Sequence, residues 1–260
     1  MTRFKIGVVK NPEEIPSLQE FDERDEIADS SFPIQEERDG ESLRKGFRDP
    51  YYEDGDDDTQ EFFYFDCVIE TLEKNTRLDE DGNDLEHHVQ SRDTMHFILL
   101  PDGRFIYESA KNVGPGNALR LLLGEIPEIE SDITIPHSVL RNYYFDKDEV
   151  SKVVVNGIES DDDPEEYTEP VRSILRTGRM LESTTFNTGD FETNLRESDL
   201  VGSFIDHGNV KFIKGSDEDT NTKAVSNNGW VRFYLPTDRD VVERSRLIHR
   251  KVRPILDDVI

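Results

Sequence analysis

The chain has 260 residues, enough for one large domain or two small ones. Its 58 acids face 31 bases, a formal net charge of −27, and 34% of its residues are hydrophobic. Fifteen Phe and eight Tyr argue against general disorder, the lack of a run of about eighteen apolar residues argues against a membrane-spanning helix, and one Cys excludes an intramolecular disulfide or a cysteine-rich zinc site.

The acids recur in almost every block of the sequence, and Lys is scarce, eleven against twenty Arg. Such a surface suits multimolar salt, where the Debye length falls to about 3 Å and self-repulsion is screened. The charge therefore predicts a salt-adapted protein; an acidic mimic that sequesters a basic partner is the alternative. The opening MTRFKIGVVKNPEE has too short an apolar run for a signal peptide, so a cytoplasmic location is expected. In this background a carboxylate cluster reads as solvated surface, and a basic patch is the unusual feature.

RFKIGVV, 3–9, reads as a strand ended by Asn11 and Pro12. From 10 to 60 the chain is polar and acidic. Short helices are expected around 18–27 and 42–47, and EDGDDD, 53–58, reads as a solvated loop. Residues 61–109 read as an antiparallel meander. EFFYFDCVIETLE is one strand, with Cys67 a buried structural thiol, and NTRLDEDGND supplies a turn. HHVQSR and TMHFILL follow, then a tight turn at Pro101, Asp102 and Gly103, and RFIYES returns as the partner strand. GPGN, 114–117, leads into a short helix, ALRLLLGEI. ITIPHSVLRNYYF fits either a strand or a helix, and SKVVVNGI reads as a buried strand.

The acidic, proline-containing ESDDDPEEYTEP separates an N-terminal half, 1–160, from a C-terminal half, 161–260; a single domain is the alternative. The second half opens with the helix PVRSILRTG and the strand LESTTF. SDLVGSFIDHG reads as a helix capped by Ser198. NVKFIKG and GWVRFYLP pair as a hairpin, 209–235, over a long polar loop. A last amphipathic helix, DRDVVERSRLIHRKV, starts from a cap at Thr237 or Asp238 and is ended or kinked by Pro254. Strands and helices mix without strict βαβ alternation, which predicts an α+β fold with a mixed, mainly antiparallel sheet.

DGNDLEHHVQSRDTMHF, 81–97, holds three of the six histidines and invites a metal reading. An EF-hand loop begun at Asp79 fails where it needs Gly, at Asp84, and where it needs an acid, at Gln90. His87 and His88 are adjacent, so a strand points them to opposite faces. His88 and His96 meet only if their strands bring them together. A turn and strand is the better reading, and no metal or cofactor is expected. GPGN is not followed by the Lys of a phosphate loop, so it reads as a helix entry. G-x-S-x-G, H-E-x-x-H and the D/E-x-K triplet are absent, and nothing in the sequence points to an enzyme.

Two segments stand against the acidic background. VRSILRTGR, 171–179, has Arg172 and Arg176 on one helical face, with Arg179 nearby. The last helix, 239–253, carries Arg239, Arg244, Arg246, Arg250, Lys251 and Arg253 against Asp240 and Glu243. Lys211, Lys214 and Arg232, with Phe212, Trp230, Phe233 and Tyr234, lie on the hairpin before it. Bases beside aromatic rings are the ingredients of a nucleic-acid surface. Arg172, Arg176, Arg244, Arg246, Arg250, Lys251, Lys211 and Trp230 are therefore the candidate contacts for nucleic acid, or for an acidic protein partner. The alternative is that the arginines pair with this chain's own acids. The order of an aromatic strand, the SRDTMHFILLPDGRFIYE hairpin and a late NVKFIKG strand loosely resembles uncharacterised prokaryotic proteins of mobile-element or defence cassettes, which implies an accessory binding role.

Overall fold

The computed structural model describes residues 1–24, 27, 34–38, 41–55, 60–78, 84–109, 113–131, 133–156, 183–188, 194–207, 209–216 and 223–259. The strands are β1 (Thr2–Val9), β2 (Ile34–Arg38), β3 (Glu41–Glu53), β4 (Phe62–Leu78), β5 (Asp84–Leu99), β6 (Arg104–Glu108), β7 (Ile129–Glu130), β8 (Glu149–Asn156), β9 (Ser183–Asn187), β10 (Asn209–Ser216), β11 (Lys223–Ser226) and β12 (Trp230–Phe233). The helices are α1 (Leu18–Asp22), α2 (Pro115–Leu123), α3 (His137–Asp146), α4 (Asp199–His207) and α5 (Val241–Val259). The fold is α+β, with antiparallel pairing between strands and a C-terminal helix. Among the described residues no helix is long and apolar enough to cross a membrane.

The chain divides into two compact units. One, the meander unit, is Lys5–Ser131 with Thr237–His249; the other, the C-terminal unit, is Met1–Phe4, Asp132–Pro236 and Arg250–Ile260. The acidic segment around residue 160, where the sequence places a division, lies outside the described residues.

In the meander unit the strand order is β2-β3-β4-β5-β6-β1, with β7 beside β1. FFYFDCVI is buried at every position, because β4 is central and both its faces are covered. Its odd face carries Phe63, Phe65, Cys67 and Ile69. These pack with Phe47, Phe97, Phe105 and Tyr107 from neighbouring strands and with Leu18, Phe21, Leu119 and Leu122 from α1 and α2. Burial pushes the Cys67 thiol up to about 12, so it stays a thiol. The Pro101-Asp102-Gly103 turn joins β5 to β6. Gly103 adopts φ +83°, a conformation only glycine takes without strain, and its carbonyl accepts a hydrogen bond from Val9 N at 2.9 Å.

Three expectations here are corrected. Residues 42–47 form part of β3, not a helix. Leu43 and Phe47 repeat every four residues, which suits a strand face as well as a helix, and Gly46 weakens a helix by about 1 kcal/mol. The open edge of β4 decides the matter, pairing Phe47 opposite Cys67. The NTRL segment continues β4 instead of turning. HHVQSR and TMHFILL are one strand, β5, so His88 and His96 stand eight residues apart, about 27 Å, and do not meet.

In the C-terminal unit the order is β12-β11-β10-β8-β9. The hairpin expected between NVKFIKG and GWVRFYLP holds a third strand: KAVS, inside the polar loop, is β11 and pairs with both. Gly229 turns β11 into β12 at φ +74°. A Cβ there would lie 1.9 Å from the Ile133 carbonyl oxygen, so no other residue fits. Val150, Val153, Val155, Ile213, Val225, Val231 and Phe233 fill the inner face of this sheet. Phe204 of α4 meets Phe186 edge-on at 5.1 Å, and Tyr143 of α3 donates to the Lys223 carbonyl at 3.3 Å. ITIPHSVLRNYYF resolves as α3. Ser198 Oγ accepts from Val201 N at the start of α4.

The last helix also departs from expectation. Its cap is Asp240, whose carboxylate accepts from Glu243 N at 2.8 Å, rather than Thr237 or Asp238. Pro254 lies inside the helix, which runs on to Val259.

Candidate functional site

In the meander unit one rung crosses four strands: Arg48 (β3), Asp66 (β4), His96 (β5) and Glu108 (β6). Register makes them neighbours, and the even spacing places them on the face opposite the aromatic cluster. Arg48 Nη2 donates to Asp66 Oδ2 at 2.8 Å, and His96 Nδ1 lies 2.6 Å from Asp66 Oδ1. Tyr64, two residues before Asp66, donates to the same Oδ1 at 2.6 Å. His96 Nε2 stands 3.8 Å from a Glu108 oxygen.

Burial alone would raise the Asp66 carboxyl, but hydrogen bonds from His96, Tyr64 and Arg48 hold it down at about 2. Burial, with the Asp66 charge, pushes Tyr64 well above its ordinary value. Burial also raises Glu108, against the pull of His96.

The α5 helix locks onto this rung. Arg244 Nε donates to Tyr64 Oη at 3.0 Å, and its Nη2 donates to Asp49 Oδ2 at 2.8 Å. A bulge makes the second contact possible. Asp49 and Pro50 together oppose the single residue Phe65, and Asp49 sits at φ 53°. That conformation is tolerable for Asp and re-aims its carboxylate. One turn away Arg246 forms a two-point pair with Glu53, at 2.6 and 3.0 Å. Arg48 Nε is left without a hydrogen-bond partner, but the remaining contacts tie β3, β4, β5, β6 and the start of α5 together. The sequence carried one sign of this, a lone acid inside the aromatic run FFYFDCVI.

The C-terminal unit has a different arrangement on the outer face of its sheet. One rung reads Trp230, Ser226, Phe212, Val154 and Thr185 across β12, β11, β10, β8 and β9. The next reads Arg232, Ala224, Lys214, Lys152 and Asn187. An aromatic rung thus lies beside a cationic one, about 7 Å away, and neither holds a carboxylate. The Phe212 and Trp230 rings are 5.7 Å apart. Arg3 stands over Trp230 at 5.1 Å and Lys152 over Phe212 at 5.7 Å. Tyr234, just past β12, is 62% exposed. Phe233 alternates to the inner face and stacks on Phe4, so it belongs to the core.

The eight residues picked from the sequence are thus dispersed. Arg244 and Arg246 are engaged by carboxylates in the meander unit. Lys211 occupies the bulge of β10, next in sequence to Phe212 of the aromatic rung. Arg250 and Lys251 line a cavity beside Tyr143. Arg172 and Arg176 lie outside the described residues. Lys152 and Arg3, which sequence reasoning missed, come from segments distant in the chain, and only register brings them to the rings. Among the described residues no group of three His, Cys, Asp or Glu side chains is arranged to hold a metal ion, and the side chains of His87 and His88 lie outside that description.

The chain matches no protein-family model, and no curated protein is significantly similar to it.

Proposed function

We propose that this is a non-enzymatic binding protein whose C-terminal sheet face takes single-stranded nucleic acid. The observation that carries the reading is the pair of rungs: rings at Trp230 and Phe212, cations at Arg232, Lys214 and Lys152. Unpaired bases stack on aromatic side chains while cations meet the phosphates. The face carries this chemistry in a chain whose net charge is −27. Arg244 and Arg246, engaged internally, contribute little to the contact.

The acidic composition supports a salt-adapted setting. There counterion release adds little, because the bulk salt is already high. Stacking on Trp230 and Phe212 then supplies most of the affinity, and the surface selects for exposed bases over duplex.

Trp230 is the only tryptophan, so its emission reports the face directly. Titration with single-stranded DNA or RNA in multimolar KCl is expected to quench that emission saturably, with duplex much weaker. Polyglutamate serves as the control for an acidic protein partner. Quenching by polyglutamate without quenching by oligonucleotide would transfer the face to a protein partner.

A further inference from the structure

We propose a second site in the C-terminal unit, a cavity that binds a compact phosphate-type oxyanion. The cavity is about 270 Å³ in volume. Lys147, at the end of α3, Lys223, at the start of β11, and Arg250 and Lys251 of α5 all line it. Four cations thus converge from three elements. Asp146 and Asp258 are the two carboxylates at the same cavity. Such a concentration of positive charge is exceptional in a chain with nearly twice as many acids as bases.

The placement is built into the fold. Lys223 is 6% exposed and Lys251 8% exposed, so two lysines are held largely out of solvent. Strand alternation puts Lys223 on the inner face, opposite Arg232 and Lys214, so the cavity is separate from the sheet face described above. Arg253 is engaged by Asp257 at 3.0 Å, whereas Arg250 and Lys251 form no ion pair among the described residues.

The lining also selects the ligand. Lys147 and Lys223 stand over the Tyr143 ring at 4.8 and 5.0 Å. Tyr143 is buried, so its ring offers no open face on which a nucleobase could stack. The volume falls below that of typical sites for drug-sized ligands, of the order of 300–1,000 Å³. Cations from three directions suit the several oxygens of a tetrahedral anion better than one planar carboxylate. Lys223 and Lys251, held largely out of solvent, are screened less by salt than surface charges are, so the site operates at high ionic strength.

The test is isothermal titration of the full chain with pyrophosphate in KCl, with citrate at equal ionic strength as the carboxylate arm. Pyrophosphate is expected to bind at one site with a Kd below about 1 mM. Arg250→Gln, at an exposed position, and Lys147→Gln, at a partly exposed one, are each expected to weaken it at least about tenfold. Trp230→Ala is expected to leave it unchanged while weakening oligonucleotide binding at least about fivefold, read by anisotropy of labelled strand, so the two sites fail separately. The inference is overturned by three results: no saturable heat, affinity indifferent to both Arg250→Gln and Lys147→Gln, or citrate binding as tightly as pyrophosphate.

Discussion

Cations meet opposite fates in the two units. In the meander unit, Arg48, Arg244 and Arg246 each reach a carboxylate, and the charges close a row running from β3 to β6 and into α5. On the C-terminal sheet face, Arg3 and Lys152 stand over aromatic rings instead, and Lys214 and Arg232 share an outward rung free of acids. Whether an arginine is structural or available to a ligand is decided by which strand lies beside it.

The sharpest break of this contrast is Asp66→Ala. It removes the buried acceptor shared by Arg48, His96 and Tyr64 and is expected to destabilise the protein by about 3 kcal/mol, read from the denaturant midpoint at fixed KCl. A loss under about 1 kcal/mol would mean that the row is solvated and does not hold the strands.

The next effect is on pH. The folded Asp66 carboxyl sits at about 2, below its ordinary 3.8. Its stabilisation is therefore complete above pH 3.8 and is lost as pH falls toward 2. The shift corresponds to about 2 kcal/mol. Glu108 has the opposite sign: its raised value makes the fold lose stability as pH climbs above 4.5. Many other acids titrate in this window, so the measurement is the difference between wild type and Asp66→Asn. That gap should close as pH drops from 4 to 2, and a gap constant across the range would refute the assignment.

Trp230→Ala sharpens the other side of the comparison. Trp230 is partly exposed, so the fold is expected to survive, while oligonucleotide affinity falls by about 1–3 kcal/mol when read by anisotropy of labelled strand. Unchanged affinity would remove the aromatic rung from the proposal. The smallest effect is expected for Arg246→Glu. Its guanidinium is half exposed and paired with Glu53, so oligonucleotide binding should stay within about twofold of wild type. A larger loss would return the last helix to the binding surface.

Much of this was legible along the chain. The run FFYFDCVI announced a strand with Cys67 buried, PDG announced a tight turn, and ALRLLLGEI a short helix. Bases next to Trp230 marked the region that the sheet face occupies. Asp66, alone among apolar residues, was a readable sign of a buried polar contact, although its partners were not. The KAVS strand was hidden because four residues in a polar loop carry no period. The 42–47 segment was misread because Leu43 and Phe47 satisfy both periodicities.

The sequence by itself determined composition, the alternation within strands and the tight turn at Pro101-Asp102-Gly103, because these depend on neighbours a few residues apart. Tertiary structure alone decided that Arg48, Asp66, His96 and Glu108 share a rung, and that Arg3 and Lys152 reach the rings of Trp230 and Phe212. Those contacts follow from strand register, and a shift of one residue moves every side chain to the other face. Register is fixed by packing and turns summed over the whole sheet, which no local stretch of sequence contains.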